Sequence, residues 1–215
     1  MHVVVTCGPA FEPIDGTRRL TNFSTGRLGI VLADAFCRAG HEVTVLRGSG
    51  ATFRLQPDGV RLLDFGTNAE IAARFAALAE EGGVDAVFHL AALCDFGVAG
   101  VLDATGAPLP PGKIPSRSDG CQLVLKPLPK LIHRLRALFP HAYLAGWKYE
   151  TEGDRARVLA LGRRQLDEAG TDLCVVNGPG YGPGFGLVES TGGTAEATGP
   201  EALAEALLAR LAARG

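Results

Sequence analysis

The sequence has little that would build a metal centre, a secreted scaffold or a membrane span. Its five cysteines, Cys7, Cys37, Cys94, Cys121 and Cys174, are odd in number and include no Cys-x-x-Cys pair. That argues against a disulfide framework and against a zinc site, so no protein metal site is expected. Buried thiols in a reducing compartment are the expectation, and with them a cytoplasmic location. No run approaches the roughly 20 apolar residues a bilayer span needs. The first residues enter an apolar strand at once, without the basic and apolar regions of a secretory signal. Net charge is only −2, which supports neither nucleic-acid nor membrane partners. No Gly-x-Gly-x-x-Gly follows the first strand, and Gly-x-x-x-x-Gly-Lys-Ser/Thr is absent throughout. Neither a dinucleotide fingerprint nor a P-loop can be claimed. Tyr143, Tyr149 and Tyr181 lack a Tyr-x-x-x-Lys spacing, which weakens a short-chain dehydrogenase reading.

What the chain does have is alternation. Residues 3–5, 41–46, 60–65, 84–90, 121–126, 142–148 and 173–176 read as strands, with 187–189 as a last edge strand. Helical spacing runs from about 25 to 39, after Thr67 or Asn68, through Leu131, Leu135 and Leu138, and over 152–169 and 200–214. Such alternation predicts an α/β fold with a doubly wound, mostly parallel, Rossmann-like sheet. The length of 215 residues suits a single domain. Between 97 and 120 the pattern dissolves into Gly, Pro and Ser. That length predicts a flap or dimerisation arm rather than a plain connector.

The organising stretch is residues 6–29, a long loop between the first strand and the first helix. Parallel sheets of this class bind ligands at the carboxyl ends of their strands. The loop ends in Asn22, Ser24, Thr25 and Gly26, where free backbone N–H groups favour an anion. Arg18, Arg19 and Arg27 add positive charge; the alternative is a capped helix with ordinary surface arginines. Four polar groups past strand ends should converge: residues 8–29, 92–95, 146–151 and 177–185. Single residues keep two readings. Asp95 is a turn cap or an acceptor for a ligand base or sugar. Lys113 is a solvated side chain or a point charge closing over phosphates. Asn22 is a loop former, for which aspartate is nearly equivalent, or a donor to a reacting anion. His89 reads as a core histidine and Trp147 as packing.

These blocks together resemble the phosphopantothenoylcysteine synthetase (phosphopantothenate–cysteine ligase) family, the second half of the bacterial bifunctional coenzyme A flavoprotein. Thr6-Cys7-Gly8-Pro9 with Glu12-Pro13-Ile14-Asp15 resembles its T-A-G-P-T-x-E-P-I-D. Arg18-Arg19-Leu20-Thr21-Asn22-Phe23-Ser24-Thr25-Gly26-Arg27-Leu28-Gly29 resembles R-x-I-S-N-x-S-S-G-K-M-G. Ala91-Ala92-Leu93-Cys94-Asp95-Phe96 resembles A-A-V-A-D-Y, and Gly146-Trp147-Lys148-Tyr149-Glu150-Thr151 resembles G-F-A-A-E-T. Asp172-Leu173-Cys174-Val175-Val176-Asn177 resembles D-x-I-V-A-N.

The resemblance implies a ligase that joins 4′-phosphopantothenate to cysteine through an acyl-nucleotidylate, spending CTP or ATP with Mg²⁺. It implies a homodimer, and a flap strand exchanged between subunits would explain why residues 97–120 have no core of their own. Asn22 matches the asparagine that stabilises the acyl-nucleotide and Arg18 an arginine implicated there. Asp95 and the backbone of Ala91, Ala92 and Leu93 match the nucleotide-base region. Lys113 matches a lysine serving the triphosphate, and Gly8, Ser24, Gly26 and Trp147 complete the nucleotide-binding set. The chain departs from the pattern at several points. Ile114 is followed by Pro115-Ser116 rather than two lysines, and Asn177 by Gly178-Pro179 rather than Asp-Val. Arg163, Arg164 and Gln165 stand where the family has triphosphate-facing lysines, and Trp147-Lys148 replaces Phe-Ala. Two other readings remain: an NAD(P)-dependent oxidoreductase, and a diverged paralogue that is non-catalytic or takes another substrate.

Overall fold

The structure, a computed structural model, describes residues 1–110, 112, 114 and 119–214. Strand β1 (His2–Cys7) is an almost wholly apolar run and is buried from Val3 onward. A long loop carrying the short hairpin β2 (Phe11–Pro13) and β3 (Arg19–Thr21) leads to helix α1 (Arg27–Arg38). Strands β4 (Glu42–Gly48) and β5 (Val60–Phe65) precede α2 (Asn68–Glu81), whose first turn is capped by the Thr67 side chain accepting from the Glu70 N–H. Strand β6 (Val84–His89) is followed by β7 (Phe96–Asp103), β8 (Cys121–Pro127) and α3 (Ile132–Leu138). The chain continues through β9 (Tyr143–Tyr149), α4 (Arg155–Ala169) and β10 (Leu173–Asn177). It ends with β11 (Phe185–Glu189), β12 (Thr194–Ala197) and α5 (Pro200–Ala212).

Eight strands form the central sheet in the order β12-β11-β10-β9-β6-β1-β4-β5. The run from β10 to β5 is parallel, while β11 and β12 are antiparallel additions at one edge. Alternate residues of β1 point to opposite faces, as a strand requires. Val3 and Val5 pack with Ile30 and Phe36 of α1 and Leu207 and Leu211 of α5. Val4 faces the other way, toward Ile71 and Phe75 of α2 and Leu135 of α3. Helix α4 packs its Val158 and Leu166 on Cys174, Val176 and Val188. The sheet is doubly wound, as the alternation predicted. The direction of winding reverses between β1 and β6, which is where folds of this kind hold ligands.

Three features differ from the expectation. Residues 97–120 are not without strands: β7 pairs antiparallel with β8 in a ribbon separate from the main sheet. Its glycines, Gly97 and Gly100, mask a strand signal that the partner strand restores. The loop after β1 folds back as the β2–β3 hairpin. The outer edge of the sheet belongs to β12, so β11 lies one strand in from it. Among the described residues, no helix is long and apolar enough to cross a membrane.

Candidate functional site

The polar strand ends converge in part: three of the four groups contribute several residues each, and the fourth, 177–185, contributes Asn177 alone. They line one cavity of about 860 Å³ at the carboxyl edge of the sheet, a size suited to a small-molecule ligand. Its floor is built by continuing the β1–β6 pairing into the loops. The Ala92 N–H donates to Gly8 O at 3.0 Å, and the Ala10 N–H to Ala92 O at 3.0 Å. Gly8 turns the chain with φ +76°, and a Cβ there would stand 2.8 Å from the Ala51 Cβ. Thr21 Oγ1 donates to Ala10 O at 2.6 Å and Asn22 Nδ2 to Leu93 O at 2.7 Å. The hairpin and the exit of β6 are thereby locked together.

Helix α1 begins at this floor. Its N-cap, Gly26, has φ 78°, no acidic residue lies in the first turn, and Thr25 Oγ1 accepts from the Arg27 N–H at 3.2 Å. A Cβ on Gly29 would come within 2.4 Å of the Cys7 Cβ, so the first turn rests directly on the end of β1. The N-terminal N–H groups and the positive end of the helix dipole favour an anion here.

Beneath the floor, Thr6 Oγ1 accepts from the Ala91 N–H at 3.0 Å and lies 2.9 Å from His89 Nδ1. The buried hydroxyl proton needs an acceptor, and Nδ1 supplies it. His89 is therefore assigned the Nε2–H tautomer. Burial drives its pKa down to about 4, so the ring is neutral at ordinary pH. The Cys7 thiol is pushed up to about 12 by the same cause and is not a nucleophile.

Ser24, Gly8 and Gly26 line the cavity, and so do Ala91, Ala92 and Leu93. Asp95 and Trp147 line it as well. Asn22 sits at its margin, tied to Leu93. Arg18 is not brought to the lining. It pairs with Asp15 and donates to Ile114 O at 3.2 Å. Asp15 also accepts from the Ile114 N–H at 3.0 Å. The N–H groups of Ile114 and Thr17 hold this carboxyl well below the usual carboxylate range. Lys113 lies outside the described residues.

Several lining residues escaped the sequence reading. Asn68 looks like a helix cap, yet its side chain accepts from the Cys94 N–H at 3.1 Å and donates to Cys94 O at 2.7 Å. Nothing in the spacing links residues so far apart. Lys130, Lys148 and Gln165 also face the cavity. Lys148 was visible only as a departure from a motif. Trp147 Nε1 and Asn177 Oδ1 are buried without a hydrogen-bond partner among the described residues. Trp147 pairs in register with Val175, two residues before Asn177, so both side chains share one face of the sheet. An unmatched donor and acceptor lining one cavity suit a polar ligand.

A family model for the DNA/pantothenate metabolism flavoprotein C-terminal domain matches residues 1–207. The chain belongs to this family. A curated relative, the coenzyme A biosynthesis bifunctional protein CoaBC of Thermococcus kodakarensis, is 31% identical over 180 residues. The match covers 82% of this chain and 41% of that protein, so the chain spans less than half its length. The solved DNA/pantothenate metabolism flavoprotein from Streptococcus pneumoniae superimposes with a TM-score of 0.87 at 21% identity, covering 100% of both chains. A Cab2 mutant in complex with phosphopantothenate-cysteine superimposes with a TM-score of 0.75 at 18% identity, covering 99% of this chain and 85% of that one. The family's fold is thus the fold observed here.

Proposed function

We propose that this chain joins 4′-phosphopantothenate to cysteine, consuming CTP or ATP through an acyl-nucleotidylate. The observation that carries the reading is the cavity at the β1–β6 reversal, floored by loop backbone and bordered by the N-terminal turn of α1. Family membership and the phosphopantothenate-cysteine bound by the Cab2 structure support the same choice.

In this reading the α1 N–H groups cradle the α-phosphate that the acid attacks. Asn22 offers an amide proton to the mixed anhydride, where negative charge develops. The Ala91–Leu93 backbone and Asp95 address the nucleotide base, with the Trp147 indole N–H and the Asn177 carbonyl as further polar contacts. Cysteine's amine then displaces the nucleotide. Arg18, paired away from this cavity, serves the reaction only across a subunit boundary, which accords with a homodimer. Among the described residues no group of three or more metal-ligating side chains exists. Mg²⁺ would be held by the phosphate oxygens of the nucleotide and would supply charge neutralisation there.

Pyrophosphate release measured with 4′-phosphopantothenate, cysteine and either CTP or ATP tests the proposal. Release that depends on both the acid and cysteine is expected. Thermal stabilisation by NADPH but by neither triphosphate would instead favour an oxidoreductase. The strand order β5-β4-β1-β6-β9-β10 accommodates a dinucleotide.

A further inference from the structure

The cavity straddles the edge of the sheet, and its two sides differ. Trp147 and Asn177 stand on the α1 side. His89 pairs in register with Gly146, and Lys148 follows two residues later on the same strand face. His89 packs edge-on against Phe75 of α2, and the Gly146 position faces Ile132 of α3 and Gln165 of α4. Of the described residues on the cavity wall, Lys130 and Lys148 are the lysines, and the wall carries no arginine. Lys130 is largely exposed and lies 3.8 Å from Asp95, itself exposed. Lys148 is about one-third exposed, with Nζ 2.9 Å from Glu150 Oε1.

Glu150 is not part of the wall. Its backbone N–H donates to Asn177 O at 3.0 Å and its carbonyl accepts from the Gly180 N–H at 3.0 Å. Its carboxylate engages one ammonium proton of Lys148, leaving two for a ligand. Arg163 and Arg164 of α4 are turned elsewhere. Arg164 bonds Glu168 at 2.6 Å and Arg163 reaches Gly192 O at 3.4 Å. What α4 presents to the cavity is Gln165, whose Nε2 lies 3.4 Å from Cys174 Sγ. It fits because position 146 is glycine, where a Cβ would stand 2.6 Å from that nitrogen. Lys148 pairs in register with Val176, two residues after Cys174, and so lies on the same face of the sheet as that sulfur. Lys148 and Gln165 thus approach one spot from a strand and a helix.

We propose that Lys148 is the cation that receives the pyrophosphate end of the nucleotide, with neutral Gln165 beside it on the α3–α4 wall. The assignment rests on the cavity being a triphosphate site. A helix N-terminus offers only about half a unit of positive charge, whereas a triphosphate carries several negative charges. A second, full charge on the opposite wall completes the balance, and it comes from β9 instead of α4.

Inorganic pyrophosphate is the probe, titrated by calorimetry against wild type, Lys148→Gln and Lys130→Gln. Lys148→Gln should lose at least about tenfold in affinity, as removal of one charged hydrogen-bond donor does. Lys130→Gln should stay near wild type. Gln165→Lys in the Lys148→Gln background should restore binding, which a purely structural role for Lys148 does not predict. Unchanged affinity in Lys148→Gln, or a loss in Lys130→Gln instead, overturns the assignment. The ligase reading fails separately. Lys148-dependent pyrophosphate binding without turnover of phosphopantothenate and cysteine would sink the reaction and leave the anion site standing.

Discussion

At the scale of single residues, Asn22 shows how a contact changes the meaning of a test. In the loop alone, aspartate would replace it at little cost. In the folded chain Asn22 Nδ2 donates to Leu93 O, and a carboxylate cannot. Asn22→Asp should therefore lose about 1 kcal/mol of stability whatever its chemistry. As a donor to the mixed anhydride it should also slow turnover of the folded variant by about a hundredfold or more. Denaturant midpoints and turnover at saturating substrates, measured side by side, separate the two. Lost stability with near-parental turnover would confine Asn22 to holding the loop. Asp15 has a different task. It gathers Thr17, Arg18 and Ile114 around one carboxylate, so it ties residue 114 to the β2–β3 hairpin.

At the scale of elements, the β7–β8 ribbon stands out because all seven residues of β8 are exposed. Leu123, Val124 and Leu125 are each more than a third exposed, and Phe96 of β7 nearly half. Leu123, Leu125 and Phe96, whose partner Pro127 is two residues past Leu125, share one face of the ribbon, and exposed apolar side chains grouped in this way commonly mark an interaction site, which supports the proposed homodimer. Sedimentation at micromolar concentration should show a dimer, and Leu125→Glu should shift it toward monomer. A wild-type chain that stays monomeric there would remove the dimer and, with it, a role for Arg18 across subunits. The ribbon also marks the limit of the sequence. Strands β1, β6 and β9 were legible because apolar runs end at turn residues. Strand β7 was not, since its glycines weaken the propensity that partner pairing supplies. The convergence of loops on one cavity was legible from the parallel alternation. The Asn68–Cys94 clamp and the aim of Lys148 were not, because both depend on how separate elements pack.

At the scale of the whole molecule, His89 makes stability depend on pH. Its folded pKa is about 4 against an ordinary 6.5. Between these values the unfolded chain binds a proton that the native chain does not. The stabilisation is complete above about pH 6.5 and is lost as pH falls toward 4, amounting to roughly 3 kcal/mol. Urea midpoints at pH 7.5 and 4.5 should differ less in His89→Asn than in the parent; equal differences would show that His89 does not drive the acid loss. The floor of the cavity has a further consequence. The Gly8, Ala10 and Ala92 backbone is already paired across the β1–β6 boundary. Ligand arriving there meets a surface that has no folding left to do. The conformational entropy lost on association is then mostly that of the ligand and of side chains such as Lys148 and Gln165, so a rigid analogue should gain affinity by having less freedom to surrender.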